Sequence, residues 1–296
     1  MNILTFDIEE WFIQKNYFGD HSEMYYKYDH YLNSILELLD EVSVKATFFC
    51  VGGMGRDFPE VVRKIDNQGH EIGCHSYQHI WLNKLSQQKC LEDTHMAVDT
   101  LEQCVGKKIK SYRAPAFSIG EQNKWAFEVL ASCGIERDAS VFPAVRDFGG
   151  FAQFGQKTPS RVSVNGVIIK EFPICTAQIL GREVAFSGGG YFRFFPLWFV
   201  MREIGKLDYT MTYFHIADLI PEGRGLMSRT DFEAYFKMLG TLKNRYIRYV
   251  KANLGKKGAF DKMVQLITNS NLHFQSIQDA SSEINWNETP LVQIER

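Results

Sequence analysis

The chain has 296 residues, of which 45% are hydrophobic and 23% charged, with a formal net charge of −2. This suits a globular, enzyme-sized protein, either one large α/β domain or a domain with an appendage, long enough to bury a sizeable core. The near-zero charge gives no global field for nucleic acid, and no apolar run approaches the length that spans a bilayer. Six cysteines (Cys50, Cys74, Cys90, Cys104, Cys133 and Cys175) form no C-x-x-C pair, which argues against zinc ribbons and thioredoxin chemistry. The start, Met1 to Asp7, lacks a basic segment followed by a long apolar one and reads as a core strand, not a signal peptide. The expected setting is a reducing compartment, the cytoplasm, with buried thiols.

Strand and helix patterns alternate along the first half. Residues 2–6 read as an apolar strand running into the acids Asp7, Glu9 and Glu10. Leu32, Ile35, Leu36 and Leu39 share a helical face, and Lys45 to Val51 is a buried strand closed by Gly52-Gly53. A short helix over 58–65 carries Pro59 in its first turn, where proline is tolerated. The next strand is 70–74. Ser86 is an N-cap for a helix that Gly106 ends, a strand leads into Arg113, and a helix over 121–132 precedes a strand at 134–138. Beyond about residue 140 the pattern loosens. Asn165-Gly166 marks a hairpin within 162–172, Ser187 to Arg193 reads as a flexible Gly-rich loop, and Tyr209 to Phe214 is the last clear strand, ending at His215. Residues 231–254 look helical and the last dozen frayed.

This βαβα rhythm predicts parallel strands with helical crossovers, in a barrel or a doubly wound sheet. The polar candidates fall at strand C-terminal ends: Asp7 and Glu9, His75 and His79, Arg113, Asp138, and His215. Active sites of (β/α) barrels are built from those ends. His75 and His79 have a spacing that suits two imidazoles on one metal ion, and a carboxylate beside them would leave a coordination position open for water. Ser76 stands where H-E-x-x-H needs Glu, so a zinc protease is disfavoured. The plainer reading is a pair of hydrogen-bonded loop histidines. His21, His30, His70, His95 and His273 have no partner at ligand spacing and are expected to be surface or structural.

Thr5-Phe6-Asp7-Ile8-Glu9-Glu10-Trp11, His75 to His79 and Arg113-Ala114-Pro115-Ala116-Phe117 follow one another as T-F-D-x-E-[DE]-W, H-[ST]-x-x-H and R-x-P-x-F. In that order they resemble the polysaccharide deacetylase family (NodB-homology, carbohydrate esterase 4 type). Ser187 to Arg193, with Gly-Gly-Gly-Tyr-Phe-Arg, is similar to a subgroup linked to exopolysaccharide and O-antigen gene sets. The resemblance covers about 1–225 and implies a distorted (β/α) barrel of about seven parallel strands, with 226–296 as a helical extension packed on it. It implies a divalent metal, Zn2+ first, with Co2+, Ni2+ and Mn2+ as alternatives, and removal of an N-acetyl group from an amino sugar. It implies Asp7 as base, Arg113 as its partner, His75 and His79 as metal ligands, His215 as general acid, Asp138 as the acid that orients His215, and the Ala116 N–H as an oxyanion donor. Two positions depart from the pattern. Ile8 stands where many members carry the metal-binding acid, which makes Glu9 the expected substitute, since period 2 places it on the side of Asp7. Glu10 is the fallback. His215-Ile216-Ala217-Asp218 replaces the subgroup's H-P-x-E.

The chemistry is coherent with those roles: a metal brings water's pKa to about 7, a carboxylate can take its proton, and a histidine can protonate the departing amine. Two alternatives remain, an amidase or deformylase acting on another C–N bond, and a metal-holding carbohydrate-binding protein without turnover. Eight Lys/Arg and one acid occupy 237–262, with an apolar stripe from Phe236 to Leu254. This segment is expected to cover the barrel with its lysines solvated. The alternative is contact with an anionic membrane surface, at its inner face, that bears a lipid-linked sugar. The aromatic run Trp11 to Tyr31 is expected to pack as a lid or to stack on sugar rings.

Overall fold

The computed structural model describes residues 1–19, 22–144 and 149–294; His21 lies outside them. Among the described residues twelve strands run in chain order: β1 (Asn2–Ile8), β2 (Thr47–Cys50), β3 (Glu71–Cys74), β4 (Ser111–Tyr112), β5 (Arg137–Asp138), β6 (Ser160–Val164), β7 (Val167–Glu171), β8 (Thr176–Ile179), β9 (Arg182–Ala185), β10 (Thr210–His215), β11 (Phe274–Gln275) and β12 (Leu291–Gln293). The main sheet has the order β10-β1-β2-β3-β4-β5-β7-β6-β12, with β11 beside the start of β1. The seven strands from β10 to β7 are parallel throughout. The fold is therefore α/β on a mostly parallel sheet. Among the described residues no ladder joins β10 to the far edge, and an isolated parallel bridge from Tyr213 to Gly188 continues the sheet beyond β10.

Strand β1 is buried on both faces, as a parallel strand covered on both sides must be. Leu4, Phe6 and Ile8 enter the large core shared with the flanking helices. Ile3 joins the second cluster on the opposite face, with Phe49, Phe117, Phe172, Met211 and Tyr213. Asp7 shares that second face, because side chains alternate along a strand.

Register positions the site. Asp7 lies level with His215 on one side and Phe49 on the other. Cys50 is level with Cys74, Cys74 with Tyr112, and Tyr112 with Asp138. The residues that follow Cys74 and Tyr112, His75 and Arg113, therefore emerge at one end of the sheet beside Asp7. That end is where open and closed parallel sheets bind ligands.

Several local expectations are met. Ser86 Oγ accepts from Lys89 N, and Gly106 takes a left-handed conformation to close helix Gln87–Val105. Asn165 and Gly166, with φ of 48° and 81°, turn the hairpin between β6 and β7. Others are corrected. Ser187 to Arg193 is no flexible loop: Gly189–Phe194 is a helix and Ser187, Gly188, Gly189, Phe192 and Arg193 are buried. A Cβ on Gly188 would lie 2.3 Å from the Tyr213 ring, so glycine serves close packing here. Helix 231–254 is two helices, Arg229–Phe236 and Leu242–Asn253, parted around Gly240. The segment 226–296 is not helical throughout, because β11 pairs with β1 and β12 with β6. Leu291–Gln293, expected to fray, is the edge strand β12.

Candidate metal centre and catalytic cluster

Glu9, just past the end of β1, reaches the His75–His79 loop. Its Oε2 stands 2.5 Å from His79 Nε2 and 3.6 Å from His75 Nε2. One donor atom from each residue falls within a 4.8 Å cluster able to hold a metal ion. The set fits such an ion for a second reason. His75 Nδ1 is engaged by the Arg113 carbonyl at 2.7 Å, which fixes the ring and leaves Nε2 directed at Glu9. Two imidazoles and one carboxylate are a zinc-type donor set with positions left open.

The loop carrying the histidines is held from several sides. Asp93, on helix Gln87–Val105, accepts from the N–H groups of Tyr77 and Gln78. Gly52 N donates to Ser76 O and Gly53 N to Tyr77 O. Ser76 and His79 sit at φ of 60° and 57°, an uncommon region for non-glycine residues that this scaffolding enforces. The Tyr235 ring lies nearly parallel to the His79 ring, with centroids 6.4 Å apart.

Arg113 has no exposed surface, and its Nη1 donates to Asp7 Oδ1 and to Thr5 Oγ1, each at 2.8 Å. Its Nε donates to Ala139 O, and its guanidinium lies 4.3 Å from the Phe49 ring centroid. Beyond it, Ala116 and Phe117 have φ of 54° and 53°. Gly149 packs against their carbonyls so closely that a Cβ there would lie 2.4 Å from Ala116 O.

His215 closes the cluster. Its Nε2 stands 3.7 Å from Asp7 Oδ2 and 4.0 Å from Glu9 Oε2, and its Nδ1 meets Asp218 Oδ2 at 3.2 Å. Burial lowers the histidine's pKa, but the charges of Glu9, Asp218 and Asp7 outweigh it and hold the group raised to about 10. Burial likewise opposes ionisation of Glu9, yet the facing His79, His215 and His75 keep its carboxyl well below the usual range.

The structure thus brings together Asp7, Glu9, His75, His79, Arg113 and His215. It does not bring Asp138 to His215. Asp138 accepts from Ser140 Oγ at 2.6 Å and from Ser140 N, and Ser140 Oγ in turn accepts from Ala114 N. Burial raises the pKa of Asp138, and burial together with the Asp138 charge raises that of Glu171 further. Asp138 therefore braces the Arg113–Phe117 loop from below, and the acid facing His215 is Asp218. Nor does Glu10 join the donors. Its side chain is buried on the other flank, where it accepts from Ala217 N at 2.8 Å and ties β1 to the turn after His215. Burial and the Glu9 charge raise its pKa to about 7. Ile8 points into the main core.

Tyr235, Asp93 and Glu171 carried no site signal in the sequence, whereas Arg193 lay in the Gly-Gly-Gly-Tyr-Phe-Arg segment that the resemblance marked. Asp218 also carried one, as the last residue of His-Ile-Ala-Asp, three positions after the histidine, a spacing that puts both on one helical flank. The aromatic run after β1 mainly packs: Trp11 and Phe12 are buried, and Tyr17 and Phe18 rest on Tyr235. His30, His95 and His273 are absent from the metal-capable cluster. His70 is buried at the base of β3 against Phe48.

Residues 3–137 match the family model described as polysaccharide deacetylase, and residues 139–280 match a domain of unknown function (DUF3473). The chain is 38% identical over 95 residues to a peptidoglycan-N-acetylglucosamine deacetylase of Bacillus cereus, covering 32% of this chain and 34% of that one. It is 33% identical over 107 residues to a chitin deacetylase of Pestalotiopsis, covering 35% of each. The chain thus spans about a third of the length of these curated relatives. A crystal structure from Mycobacterium smegmatis, of a protein named as a candidate polysaccharide deacetylase, shares the fold with a TM-score of 0.64 at 18% identity, covering 100% of this chain and 93% of that one. The first match holds Asp7, Glu9, both histidines and Arg113, whereas His215 and Asp218 stand in the second. Residues 3–137 are thus similar to the polysaccharide deacetylase family, and residues 139–280 to DUF3473.

Proposed function

We propose that the protein is a metal-dependent hydrolase that removes the N-acetyl group from an amino sugar of a bacterial surface polysaccharide or its precursor. One observation carries the reading. A paired carboxylate (Asp7 with Arg113), a Glu-His-His donor set and an imidazole (His215) converge at one end of the parallel sheet.

Glu9, His75 and His79 would hold the ion, Zn2+ first among the candidates. When bound, it supplies the Lewis acidity that makes water a competent nucleophile near neutral pH. Asp7 Oδ2, free of the Arg113 bond at Oδ1, takes the proton from the attacking water. Arg113 keeps the carboxylate ionised and aimed. The Ala116 N–H is assigned to the developing oxyanion, in a backbone shape against which Gly149 packs. His215 Nε2 gives a proton to the sugar amine as the C–N bond breaks, which releases acetate.

The same reading places the enzyme in a reducing compartment, consistent with six free cysteines, and at the inner face of a membrane. No helix among the described residues is long and apolar enough to cross a membrane. Helix Leu242–Asn253, however, buries none of its residues. Arg245 donates to Met227 O and Arg248 lies over Phe236, so these cations face the protein. Leu242, Tyr246 and Val250 face outward, 65%, 58% and 41% exposed. That is the reverse of a helix covering a core, and it favours contact with a surface bearing a lipid-linked sugar, as in exopolysaccharide or O-antigen synthesis.

Acetate release from N-acetylated oligosaccharides tests the activity. It should vanish with a chelator, return with Zn2+ or Co2+, and vanish in Asp7→Asn. Formate in place of acetate would support the deformylase alternative. Bound metal with neither product would support carbohydrate binding alone.

A further inference from the structure

We propose that Asp218 is the positioning residue for His215, and that Arg193 locks Asp218 to the end of helix Leu242–Asn253. The proposal rests on the deacetylase reading in taking His215 Nε2 as the proton donor. An imidazole can rotate to exchange its two nitrogens, so a group behind the ring must choose which one enters the site. Asp138 is engaged with Ser140 and does not do so. Asp218 Oδ2 meets Nδ1 at 3.2 Å, while Nε2 faces Asp7.

Asp218 is itself held. Its Oδ1 stands 3.3 Å from Arg193 Nη2, and Arg193 is buried. The same guanidinium donates to the carbonyls of Lys251, Ala252 and Leu254, each at 2.9 Å. Those acceptors lie at or just past the C-terminal end of the helix, where orphan carbonyls and the helix dipole both favour a cation. Gly255, at φ +71°, lets the backbone press on Arg193: a Cβ there would lie 2.4 Å from Arg193 O. A continuous set of contacts therefore runs from the end of helix Leu242–Asn253 through Arg193 and Asp218 to the ring of His215. The arginine of the Gly-Gly-Gly-Tyr-Phe-Arg segment is a structural clamp in this arrangement, not a substrate ligand.

The test uses the full chain and three variants: Asp218→Asn, Asp218→Glu and Arg193→Lys. With N-acetylated glucosamine oligomers and Zn2+, Asp218→Asn should lower kcat about 100-fold with KM within about twofold, at unchanged metal content. Asp218→Glu should restore at least a tenth of the wild-type kcat. Arg193→Lys should fall between them. Independently, nitrogen-15 imidazole spectra of the chelated protein should show Nδ1 of His215 protonated and hydrogen-bonded in the wild type. That signature should be lost in Asp218→Asn, with His75 and His79 unchanged. An unaltered His215 signature, or equal kcat losses in Asn and Glu variants, would overturn the proposal. Absence of acetate release from the wild type would instead count against the deacetylase reading, and the spectra would still decide the role of Asp218.

Discussion

Asp7 and Arg113, 106 residues apart, meet at 2.8 Å in the interior of the fold, with the guanidinium fully enclosed. Neither charge has water to fall back on. The pair is tolerated because Thr5 Oγ1 and the Ala139 carbonyl take two further N–H groups and Phe49 covers the guanidinium face. Replacing Arg113 with Met leaves a buried carboxylate alone and should cost about 3–5 kcal/mol in denaturant unfolding. Asp7→Asn keeps an acceptor at the same place and should cost less than half of that while abolishing turnover. Equal unfolding midpoints for wild type and Arg113→Met would show that the pair is not the constraint described.

Gly149 tests the loop of Ala116 by a different route. It adopts φ +66°, and an added Cβ would lie 2.4 Å from Ala116 O and 2.6 Å from Phe117 O. Gly149→Ala must push the loop away from the metal side or change its own conformation. The expected cost is on the order of 1–3 kcal/mol in stability. Because the donor set Glu9, His75 and His79 is untouched, metal content should stay at the wild-type level while kcat falls at least tenfold. A variant with wild-type kcat would remove the Ala116 N–H from the oxyanion role.

How much of this was legible in the sequence depends on range. Asp7, His75, Arg113 and His215 each directly follow or end an apolar strand, so their shared location needed only the parallel βαβ rule. The expectation that Glu9 joins the two histidines came from the resemblance, which places a metal-binding acid where Ile8 stands, with period 2 choosing Glu9 as the substitute. Asp138 departs from its expected place beside His215. Asp138 sits at a strand end like the others, but Ser140, two residues on, captures its carboxylate. Nothing local to Asp138 announces that capture as decisive. The segment of Arg193 was marked, but its partners were not legible, since they are main-chain carbonyls about 60 residues later and carbonyls have no sequence signature. On Leu242–Asn253, Lys243 and Lys251 are solvated as expected, but the apolar stripe is exposed too, for a related reason. Periodicity separates the apolar and basic faces but does not say which one meets the protein.

His70 makes acid stability testable. Its Nδ1 accepts from Ala46 N, its ring is buried, and burial with the nearby Lys45 charge lowers its pKa to about 4. In the unfolded chain the group titrates near 6.5. Between those values the unfolded state binds the proton and the folded state does not. The stability present above about pH 6.5 is therefore lost as pH falls towards 4, by about 3 kcal/mol from this residue. His70→Asn keeps an acceptor near Nδ1 but does not titrate, so its stability should fall less over the same interval. Urea midpoints at pH 7.5 and pH 4.5 measure the difference, and parallel losses in both proteins would acquit His70.

The outward face of helix Leu242–Asn253 gives the remaining prediction. Leu242, Tyr246 and Val250 are exposed together with Leu239 and Leu254, 64% and 49% exposed. Lys237, Lys243 and Lys251 lie exposed around them, with no acid between 237 and 257. Apolar side chains alone would suit a second copy of the chain as well as a bilayer. The surrounding cations tip the balance towards an anionic surface, where each contributes about 1 kcal/mol within a Debye length. The protein should co-sediment with vesicles containing phosphatidylglycerol, weakly with pure phosphatidylcholine, and less as salt rises. Replacing Leu242, Tyr246 and Val250 with Ser should abolish binding, and Lys237→Glu with Lys243→Glu should weaken it at least tenfold. Acetate release from a soluble oligosaccharide should be unaffected in all of these variants, because none touches Asp7, Glu9, the histidines or the Arg193 clamp. Vesicle binding unchanged by both sets would reject the membrane contact. A dimer in sedimentation velocity that the serine variant alone dissociates would assign the same face to self-association, since a subunit interface needs the apolar side chains and is opposed by the clustered lysines.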